Sequence, residues 1–143
     1  MKFVRRANAH WEGSGKEGNG TVSTQSKALD KSKYSASSRF EDGIGTNPEE
    51  LVAAAHAGCF TMKLSFILGA SDYTPNNLDT EAKLTFEDGS IVQIDLVVKG
   101  DVPKISDDEF QKAAQEAKEN CPISKLLNTK ITVSANLAQP ASP

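Results

Sequence analysis

One segment of the chain, residues 48–68, constrains the fold more than any other. Asn47 is a typical helix N-cap, and Pro48 suits the first helical position. Glu50 stands where it closes a capping box, and Gly69 is typical of a residue that ends a helix. The segment therefore predicts one long helix.

The middle of this predicted helix is apolar on nearly every side, so we expect it to be buried on most sides. Its apolar stretch, residues 51–68, is only 18 residues long and carries His56 and Lys63, which favours a core helix over a membrane span. A chain of 143 residues covers such a helix incompletely. We therefore expect a partner subunit to share the burial.

The segments on either side of the helix read as strands and shorter helices. Before the helix, the sequence predicts a first hairpin (2–11 and 21–25, joined by a glycine-rich turn at 13–20) and a third strand (34–40) with a turn after it (41–45). After the helix, alternating polar and apolar residues predict a second hairpin (78–86 and 91–99, turning at Asp88-Gly89) and a closing strand (129–137). Ser106 caps a predicted amphipathic helix that reaches about residue 120, and Cys121-Pro122 interrupts it before a short continuation, 122–128.

This order of elements predicts an α+β fold with a mostly antiparallel sheet. No repeat or linker divides the chain, so we expect one domain over residues 1–143, with a loose tail at 138–143.

Composition narrows the class of protein. Hydrophobic residues make up 38% and charged residues 24%, as in soluble globular proteins. A net charge of −3 lacks the basic surface expected of a nucleic-acid partner. No apolar run follows the basic N-terminus, so we predict no signal peptide, no membrane association and a cytoplasmic location.

The two cysteines raise a question of function, because a chain of this length folds without a disulfide and the cytoplasm is reducing. Cys59 lies in the middle of the long helix, where the simplest interpretation is a small buried hydrophobe. Cys121 lies just before Pro122 at a predicted helix start, where free N–H groups favour a thiolate; the alternative is a simple break between helices.

His56 offers a second chemistry, since it lies one helical turn before Cys59, as a Cys/His nucleophile pair requires. No third orienting group is evident, and a core histidine with both ring nitrogens hydrogen-bonded is the alternative. The histidines and cysteines lack the paired spacing of a metal site.

Five motifs stand out along the chain: GTNPEELVAAAHAGCF (45–60), AHWEG (9–13), GTVST (20–24), the Arg39-Phe40 pair and Cys121-Pro122. Together they resemble the OsmC/Ohr family, and within it the OsmC branch. The resemblance implies a thiol-dependent peroxidase that reduces organic hydroperoxides, built as an intertwined α+β homodimer with active sites at the subunit interface.

Carried over by motif, the resemblance implies that Cys59 attacks the peroxide, Cys121 resolves the product as a Cys59–Cys121 disulfide, and Arg39 and Glu49 activate the thiol. It implies no bound cofactor but an external dithiol reductant, either a thiol or a lipoyl-type group. Glu49 and Cys59 are ten residues apart, about 15 Å along a helix, so either Arg39 bridges the gap or one group comes from the other subunit.

The apolar residues near Cys59 are expected to hold the organic part of the peroxide: Phe60, Met62, Leu64, Phe66 and Ile67. Two alternatives stay open at this point. One is a thiol hydrolase or acyl transferase that uses Cys59 and His56. The other is a non-catalytic stress-induced protein with inert cysteines.

Overall fold

The structure, a computed structural model, describes residues 1–39 and 45–138. It divides into two units, Met1–Leu51 and Val52–Pro143. In the first unit, β1 (Ala7–Glu12), β2 (Asn19–Thr24) and β3 (Ser32–Tyr34) form an antiparallel sheet in that order. The predicted first hairpin is therefore confirmed.

The third strand differs from its prediction. It ends at Tyr34, and a short 3₁₀ turn, Ser37–Arg39, follows it. One side chain accounts for this: the hydroxyl of Ser38 donates to the carbonyl of Ser35 at 2.6 Å and is within 2.7 Å of the Thr46 carbonyl. Such side-chain bonds to the backbone compete with a strand ladder. Residue 40 of that predicted strand and residues 41–44 of the predicted turn (41–45) lie outside the described residues.

The long helix α1 (Pro48–Ala70) begins as expected and continues through the second unit. The Asn47 side chain accepts a hydrogen bond from the Glu50 N–H at 2.8 Å, which confirms the N-cap. Glu50 does not close the capping box. Its carboxylate instead accepts the Thr46 hydroxyl at 2.8 Å, because that hydroxyl lies one turn away on the incoming chain.

The prediction that Gly69 ends α1 is wrong, since Gly69 lies inside the helix. Asp72 adopts the left-handed conformation (φ +66°) that ends it. The N–H of Tyr73 bonds to the carbonyl of Leu68 at 2.9 Å, and the N–H of Asp72 bonds to that of Gly69 at 3.0 Å. This pair of bonds is a Schellman motif.

The second unit contains a sheet ordered β4 (Asn77–Glu87), β5 (Ser90–Asp101), β6 (Lys130–Leu137). β4 and β5 are antiparallel, and Asp88 and Gly89 turn with φ of +50° and +81° as the hairpin prediction requires. β6 lies parallel to β5, because α2 (Asp107–Asn120) and α3 (Pro122–Leu126) carry the chain back between them. The α+β class with a mostly antiparallel sheet is confirmed.

One stripe of α1 enters the core of this unit. His56, Phe60, Leu64 and Leu68 repeat every four residues and are buried. The last three of these belong to the same hydrophobic cluster as buried residues of β5 and α2, among them Ile94, Leu96, Val98 and Phe110, and as Cys121 just after α2.

The rest of α1 is less buried within the chain than the sequence predicts: Met62 is 62% exposed and Phe66 71%. The expectation of burial on most sides is therefore wrong for a single chain, because one sheet covers only one face of a helix. By length and mean hydropathy (1.6), α1 is also apolar enough to cross a membrane. Core helices of soluble proteins meet the same criterion, and the buried stripe of α1 is part of such a core.

Candidate functional site

The two thiols meet where α1 passes the junction of α2 and α3. Cys59 lies half-buried in the middle of α1, Cys121 is fully buried, and both are free thiols whose interaction raises the pKa of Cys59. Residues 62 positions apart in the sequence thus lie near each other.

Local sequence explains the placement of Cys121. It precedes a proline, which disfavours helical backbone, and its own backbone is extended (φ −62°, ψ 123°). Its N–H still bonds to the carbonyl of Ala117 at 2.9 Å, so α2 ends in a tight corner there. The corner places the side chain in the core beside α1.

The expectation that Cys121 meets the free N–H groups of a helix start is wrong. Its side chain makes no capping hydrogen bond to α3. The amide of Ile123, in the first turn of α3, donates instead to the sulfur of Cys59. Because Pro122 has no N–H, Ile123 is the first residue of α3 that has one to donate.

The surroundings of Cys59 within its unit favour the neutral thiol. Burial, followed by the hydrogen bond to Cys121, raises the pKa of Cys59 above its ordinary value of 9.0. The Ile123 N–H and the charge of Lys63 act in the opposite direction and are outweighed. A thiolate at neutral pH therefore requires a further positive charge.

Arg39 and Glu49 form an ion pair inside the first unit. Arg39 ends the 3₁₀ turn, Glu49 lies in the first turn of α1, and the guanidinium Nε contacts the carboxylate Oε1. The Glu49 side chain is only 14% exposed and that of Arg39 37%, so the pair is partly shielded from water. The structure thus brings together two of the four predicted site residues in one unit and the other two in the second unit.

His56 is buried, and its Nε2 lies 2.8 Å from the hydroxyl of Ser124 on α3. Its Nδ1 has no hydrogen-bond partner among residues 1–39 and 45–138, so the expectation of two satisfied ring nitrogens is wrong. Burial lowers the pKa of His56 below its ordinary value of 6.5, which favours the neutral ring. His56 is not among the groups that shift the pKa of Cys59, and its Nε2 is engaged by Ser124, so the geometry does not favour a Cys59/His56 nucleophile pair.

Sequence reasoning missed Ile123 and Ser124. No local pattern marks either residue, because their importance comes from contacts with α1, more than 60 positions away in the sequence. Only the neighbouring Cys121-Pro122 motif indicated that this stretch of the chain matters.

An open groove of about 600 Å³ follows one face of α1 beside β4. Gly58 and Met62, on either side of Cys59 in sequence, contribute to its walls. Phe60 and Leu64 are fully buried core residues, so they do not line a substrate site as expected. Within the described part of the chain, no three His, Cys, Asp or Glu residues are grouped so as to hold a metal ion.

Comparison with known proteins gives a consistent result. The family model described as OsmC-like protein matches residues 41–136. The chain is 41% identical over 141 residues to the protein named Peroxiredoxin OsmC from Escherichia coli K12, covering 96% of this chain and 99% of that protein. It is 34% identical over 125 residues to a Staphylococcus aureus MSSA476 protein named organic hydroperoxide resistance protein-like, covering 82% and 86%.

The fold has solved counterparts. The crystal structure of an OsmC-like protein from Mycoplasma pneumoniae superposes with a TM-score of 0.76 at 17% identity, covering 97% of this chain and all of the other. At that identity the likeness concerns the fold alone.

Proposed function

The chain belongs to the OsmC family, and on that premise we propose that it is a thiol-dependent peroxidase of stress defence that reduces organic hydroperoxides to alcohols. The single observation that carries the proposal is the proximity of the free Cys59 and Cys121 thiols. A peroxidase of this kind needs one sulfur to attack and a second within reach to resolve.

The proposed reaction has three steps: attack on the peroxide, formation of a disulfide and reduction of that disulfide. The Cys59 thiolate attacks the distal peroxide oxygen, the O–O bond breaks, and an alcohol leaves once its oxygen is protonated, so that Cys59 becomes a sulfenic acid. The Cys121 sulfur then attacks the Cys59 sulfur, and the S–O bond breaks with release of water. An external dithiol, a small thiol pair or a lipoyl-type group, reduces the disulfide and is itself oxidised to a disulfide.

The roles of the two cysteines follow from exposure and contacts. Cys59 is half-buried, so a peroxide can reach it, and the Ile123 N–H is one donor that favours its anion. Cys121 is fully buried and inaccessible to solvent, but it lies near Cys59. This arrangement supports Cys59 as the attacking sulfur and Cys121 as the resolving one.

Arg39 and Glu49 supply the missing positive charge in this proposal. Glu49 holds the guanidinium, and the guanidinium stabilises the thiolate. Glu49 lies ten residues before Cys59 on one continuous helix, about 15 Å away along its axis. We therefore assign the activating pair of each site to the partner subunit of a homodimer, which lets the ion pair stay intact.

The exposed apolar face of α1 supports the same assembly. Met62 and Phe66 are large and mostly exposed in a single chain, beside the open groove that Met62 helps to line. In the homodimer this face meets the partner, and the part nearest Cys59 holds the organic group of the peroxide. The dithiol requirement and the free cysteines fit a reducing cytoplasm.

Intact-mass analysis of the reduced protein after one equivalent of cumene hydroperoxide tests the proposal. We expect a loss of two hydrogens, mapped by peptide analysis to a Cys59–Cys121 disulfide. Cys59→Ser should not react, and Cys121→Ser should stop after gaining one oxygen. If Cys59→Ser consumed peroxide as fast as the wild type, the proposal would be wrong.

A further inference from the structure

The short helix α3 carries the resolving cysteine at its start but does little to hold itself in place. It has five residues, and its backbone bonds at the ends run from Lys125 N–H to the Cys121 carbonyl and from Leu127 N–H to the Ile123 carbonyl, both 3.1 Å. A helix this short is not stable alone. The position of Cys121 relative to Cys59 therefore depends on what binds α3 to its neighbours.

The hydrogen bond between His56 and Ser124 joins α3 to α1 beside the two thiols. His56 lies three residues before Cys59, and Ser124 lies three residues after Cys121, so one bond of 2.8 Å links the two segments at matching offsets. Neither residue has a step in the reaction described above. The bond is placed to fix the distance between the two sulfurs.

The burial of His56 makes this bond specific. The ring is fully buried, and the Ser124 hydroxyl is the hydrogen-bond partner of Nε2, while Nδ1 has none in the part of the chain that the structure describes. Loss of the hydroxyl would leave both ring nitrogens unpaired in the core, which is unfavourable. The ring therefore holds Ser124, and with it α3, in one position.

We propose that His56 and Ser124 are positioning residues for the resolving step: their hydrogen bond holds α3 so that the Cys121 sulfur meets the oxidised Cys59. This inference rests on the proposed peroxidase function. In the step concerned the S–S bond forms, the S–O bond of the sulfenic acid breaks, and the oxygen leaves as water. Such a displacement is sensitive to misplacement of about 1 Å.

The test compares two rates in the full-length protein. The reduced protein is mixed with cumene hydroperoxide and the reaction is quenched at successive times. Trapping of the sulfenic acid with dimedone measures the rate of Cys59 oxidation. The mass of the protein measures the rate of disulfide formation. In Ser124→Ala we expect disulfide formation to slow by about tenfold or more and Cys59 oxidation to slow by much less. With excess peroxide, Ser124→Ala should accumulate sulfinic acid on Cys59.

Matched variants separate positioning from a general effect on folding. Ser124→Thr keeps the hydroxyl and should restore disulfide formation to near the wild-type rate. Ser134→Ala makes the same change at an exposed position on β6 and should leave both rates unchanged. His56→Gln retains a hydrogen-bonding group and should resolve faster than His56→Leu. If the Ser124→Ala rates equal those of the wild type, or if both fall by the same factor, the inference is wrong.

A measurement without peroxide keeps this inference distinct from the proposed function. In glutathione redox buffers, Ser124→Ala should lower the equilibrium constant for the Cys59–Cys121 disulfide by about tenfold, which equals about 30 mV. If the wild type fails to react with cumene hydroperoxide, the peroxidase proposal fails, and the glutathione experiment still decides the positioning. An equilibrium constant unchanged in Ser124→Ala would overturn it.

Discussion

Replacing Arg39 with methionine should remove the activation of Cys59 in a way that pH reveals. The surroundings of Cys59 within its unit raise the pKa of its thiol above 9.0. At pH 7 such a thiol is less than about 1% thiolate, since each pH unit below the pKa lowers the thiolate fraction tenfold. A guanidinium within about 4–6 Å lowers a pKa by about 1–3 units.

The size of the effect follows from these values. Each unit by which the guanidinium of the partner subunit lowers the pKa of Cys59 raises the thiolate fraction at neutral pH by up to about tenfold. Arg39→Met should therefore lower the rate constant for reaction with peroxide at pH 7 by about tenfold or more. Because methionine keeps most of the side-chain length and loses the charge, the deficit should shrink as pH rises and vanish once both proteins are thiolates.

Stopped-flow mixing of reduced protein with cumene hydroperoxide from about pH 6 to 10.5 measures this profile, and thiolate absorbance titrates the same group directly. Glu49→Gln should give an intermediate shift, since it loosens the guanidinium without removing it. Lys63→Met serves as a control, because Lys63 makes only a small contribution to lowering the pKa of Cys59. A deficit in Arg39→Met that stays constant across the pH range would refute the reasoning and assign Arg39 to substrate binding.

Three further predictions concern stability and are measured by urea unfolding at fixed protein concentration. Burial lowers the pKa of His56 below 6.5, so the unfolded chain binds a proton on this residue at a higher pH than the folded chain does. The free energy of unfolding should therefore fall as pH drops below 6.5, by at most about 1.4 kcal/mol per pH unit. His56→Gln should remove this contribution, and an identical pH dependence in that variant would contradict the prediction. Asp72→Gly should stabilise the protein by up to about 1 kcal/mol, because glycine adopts φ of +66° without strain; a loss of stability would argue against the Schellman motif. Gly100→Ala should cost about 1–3 kcal/mol, since its Cβ would lie 2.7 Å from the Phe110 ring, and a neutral result would show that the ring shifts freely.

Features set by a few neighbouring residues could be predicted from the sequence. Asn47 and Ser106 cap their helices as expected, with bonds of 2.8 Å to Glu50 N–H and 3.2 Å to Glu109 N–H. The Asp88-Gly89 turn is confirmed in the same way. In each case the donor, acceptor or backbone angle lies within four residues, so the sequence contains the whole cause.

Features that depend on distant contacts were less predictable. Ser38 ends a strand early because it bonds to the carbonyl of Thr46, eight residues away. Burial of α1 was overestimated for the same reason, since hydropathy predicts that a face avoids water but does not identify what covers it.

In the candidate site, too, sequence neighbours and distant contacts lead to different expectations, and the contacts explain why the two cysteines differ. From its own neighbours, Cys121 is the thiol at a helix start and Cys59 is the inert one in the middle of a helix. Packing reverses this, because the first available amide of α3 donates to Cys59 while Cys121 is fully buried. In the proposed cycle the half-buried sulfur is therefore the one that a dithiol can reach after resolution, and attack there would release Cys121 as the leaving group. The exposure of Cys59 would then serve both the peroxide and the reductant, so the proposal needs only a single opening beside α1.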